Sequence, residues 1–280
     1  MKKVLITGAH SYIGMSFEKW IEDKCNDITT ETVDMIGDEW KKVDFGKYDA
    51  VFHVAGIAHQ KETKKNAGLY YKVNRDLAID TAKKAKADGC KQFVLLSSMS
   101  VYGINCGKID KATKENPKTH YGISKFEADQ TIIQLGSENF VVSILRPPMV
   151  YGKGCKGNYQ LLRKIAISFP VFPEYGNERS MIYISNLVAF VERIIREEKS
   201  GLFFPQNEEY VNISDMVRKI AESHKKKKIM LSNFNCIIKM MVQTHKGLFE
   251  KVFGTLTYEK VDLCGDVNFY DSIIETEKAR

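Results

Sequence analysis

The sequence lacks several features that would assign a chain to a special class of protein. Its six cysteines are scattered with no Cys-x-x-Cys pair, and its six histidines show no metal-ligand spacing. This argues against a metal site or a disulfide framework and fits free thiols in a reducing compartment. No apolar run reaches the roughly 20 residues of a transmembrane helix, and the start MKKVLITG has no signal-peptide core. We therefore expect a soluble, cytoplasmic protein without a metal.

Charge and hydrophobicity describe a globular chain. The formal net charge is +7, and 44% of the residues are hydrophobic. That content supports a packed core and excludes a disordered chain. The charge is mild for 280 residues. It suits an anionic ligand such as a nucleotide without requiring nucleic acid, and we expect no nucleic-acid partner.

Short apolar runs alternate with helical patterns through the first half of the chain. We predict strands in KVLITG, ETVDMI, YDAVFHVAG, KQFVLLSS and FVVSILRP. A helix is predicted after the first of these, a long one from Leu69 to Gly89, and another from Tyr121 to about Leu135. Buried strands with helical crossovers indicate an α/β fold with a doubly wound parallel sheet, whose ligands bind at the carboxyl ends of the strands.

The segment TGAHSYIG follows the first strand and opens the first helix. Gly8 and Gly14 take the first and third places of a G-x-x-G-x-x-G spacing, and Ser11 takes the middle one. A tight turn and the positively polarised start of a helix suit a pyrophosphate. The Cβ of Ser11 hinders the closest backbone approach, but its hydroxyl can donate to a phosphate oxygen. We predict cofactor contacts from Gly8, Ser11, Tyr12, Ile13 and Gly14.

A carboxylate follows at the distance that a dinucleotide site requires. Asp34 comes twenty residues after Gly14, at the end of the second predicted strand, where it would accept from the ribose hydroxyls of the adenosine. The next residues, MIGDE, offer no arginine for a 2′-phosphate. NAD is therefore favoured over NADP. The alternative is a Gly-rich turn without a ligand.

The fourth strand leads into LLSSMSVYG, and YGISK follows some twenty residues later. On a helix, Tyr121 and Lys125 are one turn apart on the same face. A lysine ammonium beside a phenol stabilises the phenolate and lowers the tyrosine pKa, so that the phenolate can act as a base. A serine hydroxyl would complete the set by binding the reacting oxygen. Two ordinary residues of a surface helix are the alternative, but the order of the motifs favours catalysis.

The chain changes character after Val150. The Gly-rich segment YGKGCKGNYQ is followed by shorter helical and strand patterns, with a helix cap predicted at Asn212 and Ser214. We predict an NAD-binding domain over residues 1–150 that also receives about 181–204 and the C-terminal tail. Residues 151–180 and 205–260 are predicted to form a smaller substrate-binding lobe.

Several motifs together carry a resemblance to a known family. TGAHSYIG, VFHVAG, VNRDLAIDTAKKA, LLSSMSVYG, YGISK, RPPMVYG, RSMIYISNLV and FYDSIIET resemble the extended short-chain dehydrogenase/reductase superfamily. The likeness is strongest to the NAD-dependent epimerase/dehydratase family typified by UDP-glucose 4-epimerase, and it covers nearly the whole chain. It implies a Rossmann-type fold, NAD, a UDP-linked nucleotide sugar and a homodimer.

The resemblance also implies roles for single residues. Tyr121 matches the catalytic base, Lys125 the lysine that binds the nicotinamide ribose and tunes the tyrosine, and Ser98 the catalytic serine. Further cofactor contacts are predicted for Asp44, Phe45, Val54, Ala55, Gly56, Asn74 and Pro148. Substrate contacts are predicted for Ser98, Met99, Ser100, Asn158 and Arg179, of which Arg179 would grip the phosphates of the nucleotide.

The chain also departs from the family pattern. The segment between Asp34 and Asp44 is short, which implies a trimmed adenine pocket. Met99 and Ser100 stand where sugar 4,6-dehydratases carry an acidic pair, so we do not expect dehydratase activity. A second phosphate-binding arginine near GTLTYEKV is missing.

The sequence therefore predicts an NAD-dependent 4-epimerase of a UDP-hexose or UDP-N-acetylhexosamine in glycan precursor synthesis. The alternative is a one-way, NAD(P)H-dependent reductase of a nucleotide 4-keto sugar, because the chain is short for an epimerase. A nucleotide-binding regulator without turnover is a third hypothesis, which the intact Ser98, Tyr121 and Lys125 disfavour.

One segment has two interpretations. HKKKKIMLSNFNCIIKMMVQTHKGLFEKVF is basic and then rich in Met and Phe. We prefer a role in the core and rim of the smaller lobe, and the alternative is contact with an anionic membrane surface. His59, near the end of the third strand, is interpreted as structural.

Overall fold

A computed structural model describes residues 1–58, 60–233, 235–244 and 247–278 of the chain. His59, interpreted above as structural, lies outside these ranges. So do Phe234, His245 and Lys246 of the basic segment.

The described chain contains the following helices and strands. In order they are β1 (Lys2–Thr7), α1 (Tyr12–Lys24), β2 (Ile28–Val33), β3 (Ala50–His53), α2 (Ala67–Tyr70), α3 (Leu77–Ala87), β4 (Gln92–Leu96), β5 (Gly107–Ile109), α4 (His120–Ile133), β6 (Val141–Leu145), β7 (Met149–Tyr151), α5 (Asn158–Ser168), β8 (Val171–Pro173), β9 (Met181–Tyr183), α6 (Ile184–Arg196), β10 (Gly201–Phe203), β11 (Gln206–Asn207), α7 (Ile213–Ser223), β12 (Ile229–Leu231), α8 (Asn235–Gln243), α9 (Leu248–Phe253), β13 (Leu256–Tyr258), β14 (Leu263–Cys264) and α10 (Phe269–Glu277).

Six strands form one parallel sheet in the order β10-β6-β4-β3-β1-β2. The order reverses beside β1, since β2 pairs on one side of it and β3 on the other. Such a switch point opens a crevice outside the carboxyl ends of the strands, where doubly wound sheets bind ligands. The predicted Rossmann-type α/β fold is confirmed.

The chain divides into two compact units. The first contains the six-stranded sheet and consists of Met1–Gly103, Lys114–Pro147 and Leu187–Pro205. The second consists of Ile104–Thr113, Pro148–Asn186 and Gln206–Arg280, and holds the two-stranded sheets β7-β9, β8-β12, β13-β5 and β11-β14. Substrate binding by the second unit stays a prediction.

The C-terminal tail belongs to the second unit, whereas the sequence analysis assigned it to the NAD-binding domain. Polar contacts explain the difference. The Tyr159 hydroxyl of α5 donates to Glu277 Oε1 of α10 at 2.8 Å, and Arg163 Nε donates to Glu277 Oε2 at 2.7 Å. These contacts join α10 to α5.

Two elements differ from their predicted course. Strand β2 ends at Val33, before the predicted ETVDMI run is complete, because the Asp34 side chain accepts a hydrogen bond from the Ile36 amide and turns the chain. The long helix predicted from Leu69 is interrupted by a π-helical turn, Tyr71–Asp76, between α2 and α3. Such turns mark functional sites in many helices.

Helices cover the sheet with faces set by their periodicity. In α3, Ala78, Ala82 and Ala85 are fully buried at i, i+4 and i+7 and pack into the core that includes Leu5 and Phe93. In the second unit, α7 begins at the predicted cap, where the Asn212 side chain accepts from the amides of Ser214 and Asp215.

Candidate active site

The loop between β1 and α1 admits only glycine at its first turn. Gly8 has φ +124°, and a Cβ there would lie 2.8 Å from the Ala55 amide nitrogen. A Cβ at Gly14 already meets Val54 Cγ2 at 3.0 Å, so α1 packs closely onto β3. Ser11 caps α1, since its hydroxyl accepts from the Gly14 amide at 3.4 Å. The turn therefore brings the start of α1, with no acidic residue in its first turn, to the crevice.

Asp34 lies beside this loop. The Gly8 amide donates to the Val33 carbonyl at 3.0 Å, and Asp34 follows directly, with an exposed side chain. A pyrophosphate at the start of α1 and a ribose at Asp34 are the neighbours that a dinucleotide requires. The residues present on this side of the crevice fit the adenosine diphosphate half of NAD.

A second close approach lies after β3. A Cβ at Gly56 would lie 3.0 Å from Asn74 Oδ1 and 3.4 Å from Lys125 Nζ. Asn74, in the π-helical turn, holds the neighbouring Ile57 by two hydrogen bonds, from the Ile57 amide at 2.8 Å and to its carbonyl at 3.0 Å. The predicted residues Val54, Ala55, Gly56 and Asn74 therefore lie with Lys125 at the same end of the sheet, as a cofactor contact requires.

Ser98, Tyr121 and Lys125 also lie together. Lys125 Nζ donates to the carbonyl of Leu96, the last residue of β4, at 2.8 Å. Burial lowers the Lys125 pKa to about 8, and Asp129 opposes that shift. Ser98 follows β4 by two residues and lies near enough to the Tyr121 hydroxyl to lower the tyrosine pKa. These three side chains therefore meet beyond the carboxyl end of β4.

The pKa of Tyr121 does not fall as expected from the sequence. Burial raises it and outweighs the opposing effect of Ser98. The ammonium of Lys125 is held on the Leu96 carbonyl, so the serine is the group that favours the phenolate here.

Gly122 makes this assembly possible, although the sequence analysis did not select it. A Cβ at position 122 would lie only 2.7 Å from the Ser100 carbonyl oxygen. The first turn of α4 thus packs directly on the backbone that follows Ser98. Its only sequence signal is the glycine within YGISK.

Glu62 is a second residue that the sequence analysis missed. Its carboxylate accepts from the His120 amide at 2.9 Å and from the Tyr121 amide at 3.0 Å. With Thr119, which accepts from the Gly122 amide at 3.1 Å, it satisfies the first free amides of α4. No local sequence pattern predicts a contact between residues that are 58 positions apart in the chain.

A buried charged network lies one turn further along α4. Asp129 Oδ2 accepts from the Ser97 hydroxyl at 2.8 Å and from Arg146 Nε at 2.9 Å, and Arg146 also donates to Glu115 at 2.6 Å. Burial raises the Asp129 pKa to about 6, against the opposing effect of Arg146 and Ser97. The network fixes α4 to the ends of β4 and β6.

Asp44 and Phe45 are not brought to this site. The Phe45 ring is fully buried, and its amide donates to Asp88, just beyond the end of α3. Asp44 lines a polar pocket with Lys3, near the start of β1 and far from Gly8. The short connection from β2 returns to β3 through two 3₁₀ turns, with no strand outside β2. The structure therefore does not bring the predicted adenine contact to the candidate site.

The remaining predicted residues lie as follows. Met99 and Ser100 belong to a 3₁₀ turn that Ser98 caps. In the second unit, Pro148 is buried and Asn158 begins α5.

Arg179, in the second unit, is partly buried, and its guanidinium donates to the Gly254 carbonyl at 2.7 Å. Within the described ranges no carboxylate lies at ion-pair distance from it. Burial lowers the pKa of Arg179. An arginine in this state suits a phosphate ligand.

Two absences hold for the part of the chain that is described. No cluster of three or more His, Cys, Asp or Glu residues there has the geometry to bind a metal ion. None of the helices described has the length and apolar character to span a membrane.

The fold and this site define a Rossmann-type enzyme that binds a dinucleotide. The model of the NAD dependent epimerase/dehydratase family matches residues 4–214, and the chain belongs to that family. The family's cofactor confirms the prediction of NAD.

Individual proteins resemble the chain at low identity. The UDP-glucose 4-epimerase of Vibrio cholerae is 28% identical in an alignment 282 positions long that covers 90% of this chain and 83% of the relative. The N-acetyl-alpha-D-glucosaminyl-diphospho-ditrans,octacis-undecaprenol 4-epimerase of Escherichia coli O157:H7 is 27% identical, over 64% of this chain and 56% of the relative. The structure of UDP-glucuronic acid 4-epimerase from Bacillus cereus in complex with NAD has a TM-score of 0.72 at 16% identity, covering 98% of this chain and 97% of that one. This last likeness shows the fold.

Proposed function

We propose that the protein is an NAD-dependent 4-epimerase of a diphosphate-linked sugar, a UDP-hexose or a UDP-N-acetylhexosamine. The observation that carries the proposal is the meeting of Ser98, Tyr121 and Lys125 beyond β4. A phenol with a serine hydroxyl near it, beside a lysine at the cofactor crevice, suits the removal and return of a hydroxyl proton.

Each residue has one task in this scheme. NAD, when bound, supplies the acceptor and donor of hydride at sugar carbon 4. Tyr121 takes the proton of the 4-hydroxyl and later returns it, while Ser98 orients the same oxygen. Lys125 donates to the nicotinamide ribose, with Gly56 leaving room for that contact. Gly8, Ser11, Gly14 and Asp34 hold the adenosine diphosphate.

Arg179 is proposed to hold the diphosphate of the substrate. Its partial burial and the absence of an acidic partner within the described ranges support this role. A guanidinium group can donate two parallel hydrogen bonds to phosphate oxygens. It would anchor the diphosphate while the sugar turns to present its other face to the cofactor. Asn158, Met99 and Ser100 are proposed to contact the sugar.

Two relatives support carbon 4 as the reacting centre. One is named for UDP-glucose and the other for an N-acetylglucosaminyl diphosphate carried on undecaprenol. The chemistry that they share is a hexose linked to a diphosphate and inverted at carbon 4. The one-way reductase of a 4-keto sugar would use the same residues, and an assay without added cofactor distinguishes the two.

The test is incubation of the purified protein with UDP-glucose, UDP-galactose and their N-acetyl forms, with no cofactor added, followed by NMR of the products. We expect interconversion of one 4-epimer pair. Tyr121→Phe should lower kcat by roughly 10²–10⁴, because it removes the proton acceptor. The epimerase proposal is contradicted if no pair is converted, even with added NAD. If the protein then oxidises NADH in the presence of a UDP-4-keto-6-deoxy sugar, the reductase takes its place.

The family resemblance supports three further proposals. We propose a homodimer formed through two helices of each subunit, a cytoplasmic location and a role in polysaccharide precursor synthesis. Light scattering after size-exclusion chromatography tests the dimer directly, since a monomeric mass would contradict it.

A further inference from the structure

The sheet β8-β12 of the second unit has an apolar, exposed face. Val171 pairs with Ile229 in a parallel register, and the Ile229 amide donates to the Pro170 carbonyl at 2.9 Å. In a pair of extended strands, the side chains of two paired residues project from the same face. Residues two positions away along each strand project from that face as well. Phe169 and Lys227 each lie two residues before the paired positions. We call Phe169, Val171, Lys227 and Ile229 the β8-β12 face.

The three apolar members of this face are unusually accessible. Phe169 is 58% exposed, Ile229 57% and Val171 40%. The other side of the same sheet is covered, since Phe172 is 5% exposed and its ring lies 5.8 Å from that of Phe253. The sheet therefore buries one apolar face in the second unit and presents the other outwards, a pattern that marks an interaction surface.

Positive charge lies next to this face. Lys225, Lys226 and Lys227 are exposed, and within the described residues none of them has a carboxylate at ion-pair distance. Lys228 differs, because its ammonium donates to the carbonyls of Ile165 and Phe169 at the end of α5. Three lysines are thus available to a partner.

The helix after β12 also carries exposed apolar side chains. Strand β12 is followed closely by α8, in which Ile237 and Met240 are 51% and 57% exposed and lie three residues apart on one helix face. Residues 225–233 and 235–240 therefore present lysines first and apolar side chains afterwards.

We propose that the β8-β12 face, with Lys225 and Lys226, docks on an anionic lipid bilayer. Apolar side chains that enter the interface and lysines that meet anionic headgroups are the two components of peripheral membrane binding. A second copy of the chain suits the face less well. A two-fold contact would set the same lysines of both copies against each other. This inference does not depend on the reaction catalysed.

The test is sedimentation of the full-length protein with vesicles of phosphatidylglycerol and phosphatidylcholine, beside vesicles of phosphatidylcholine alone. We expect binding to the anionic vesicles that weakens as salt is raised. Lys226→Gln with Lys227→Gln should lower the partition coefficient roughly thirtyfold. Phe169→Ser with Ile229→Ser should lower it by about tenfold or more, even at low salt.

Matched controls lie in the first unit. Lys64→Gln with Lys65→Gln changes the net charge equally at exposed positions, and Ile36→Ser removes an apolar side chain that is 84% exposed. Neither should reduce vesicle binding. The proposal is overturned if the protein stays in the supernatant with both vesicle types, or if the controls weaken binding as much as the test variants. If the protein has the mass of a dimer, loses it in the variant Phe169→Ser with Ile229→Ser, and does not bind vesicles, the face is instead the contact with a second copy of the chain.

Discussion

At the scale of single residues, the buried His53 makes the stability of the folded protein depend on pH. It is fully buried at the end of β3, its Nδ1 shares a 2.8 Å hydrogen bond with the Thr7 hydroxyl, and its ring stacks on Phe93. Burial, with a smaller effect of the Lys125 charge, lowers the His53 pKa to about 3. The folded protein therefore keeps this imidazole neutral at pH values where the unfolded chain protonates it.

This residue predicts the direction of acid destabilisation. The stability that neutral His53 contributes is complete above its unfolded pKa near 6.5 and is lost as the pH falls toward 3. Between pH 7 and pH 5 the loss from this group is about 2 kcal/mol. Urea unfolding of the wild type and of His53→Gln at both pH values measures it. We expect a smaller difference between the two pH values in the variant, and an equal difference would contradict the assignment.

At the scale of elements, the first turn of α4 depends on a glycine. Gly122→Ala sets a methyl group 2.7 Å from the Ser100 carbonyl, and we expect a loss of about 1–3 kcal/mol in the free energy of unfolding. Activity should fall about tenfold or more, because Tyr121 moves away from Ser98. Gly68→Ala is the control. Beyond its chain neighbours and the backbone of its own helix, no described atom lies within 4 Å of the added methyl group, so the substitution should be neutral or stabilising.

Glu62 is predicted to position the same turn. Glu62→Ala removes the acceptor of the His120 and Tyr121 amides and should lower stability by about 1 kcal/mol, as the loss of a helix cap does. We expect kcat to fall with little change in KM, and Glu62→Gln to restore part of kcat because it keeps one acceptor oxygen. Glu39→Ala, which removes an exposed pair with Lys42, should change neither parameter. An equal change in both glutamate-to-alanine variants would exclude a positioning role.

The elements also show what the sequence can predict. Gly8, Asp34, Tyr121 and Lys125 could be proposed from the sequence because each belongs to a local feature, a turn, a strand end or a helical repeat, that leaves a pattern in adjacent residues. Glu62 left no such pattern, since its contact is made by a loop folding back across the chain.

Asp44 and Phe45 show the opposite failure. Their sequence matches the family motif, but the segment from Asp34 to Asp49 is too short to add a strand outside β2. The pair is therefore held at the end of α3, where Asp88 binds the Phe45 amide. Local similarity predicted the residue types correctly, and the length of the connection decided their position.

At the scale of the whole molecule, the order of the units along the chain could not be predicted from periodicity. Residues 104–113, between Ser98 and Tyr121, belong to the second unit, and so does the tail. Hydrophobic patterns identify elements but not the neighbours against which they pack. The pairings of β5 with β13 and of β11 with β14 join segments more than 50 residues apart.

The interleaving of the units has a consequence for biosynthesis. Strand β10 completes the parallel sheet at its edge, but it is made after residues 148–186 of the second unit. Until Phe203 has left the ribosome, β6 is the last strand of a five-stranded sheet, and its outer amides and carbonyls have no partner in that sheet. An unpaired strand edge is a template for association with other chains. We therefore expect the nascent protein to be exposed to aggregation at this edge while residues 146–203 are translated.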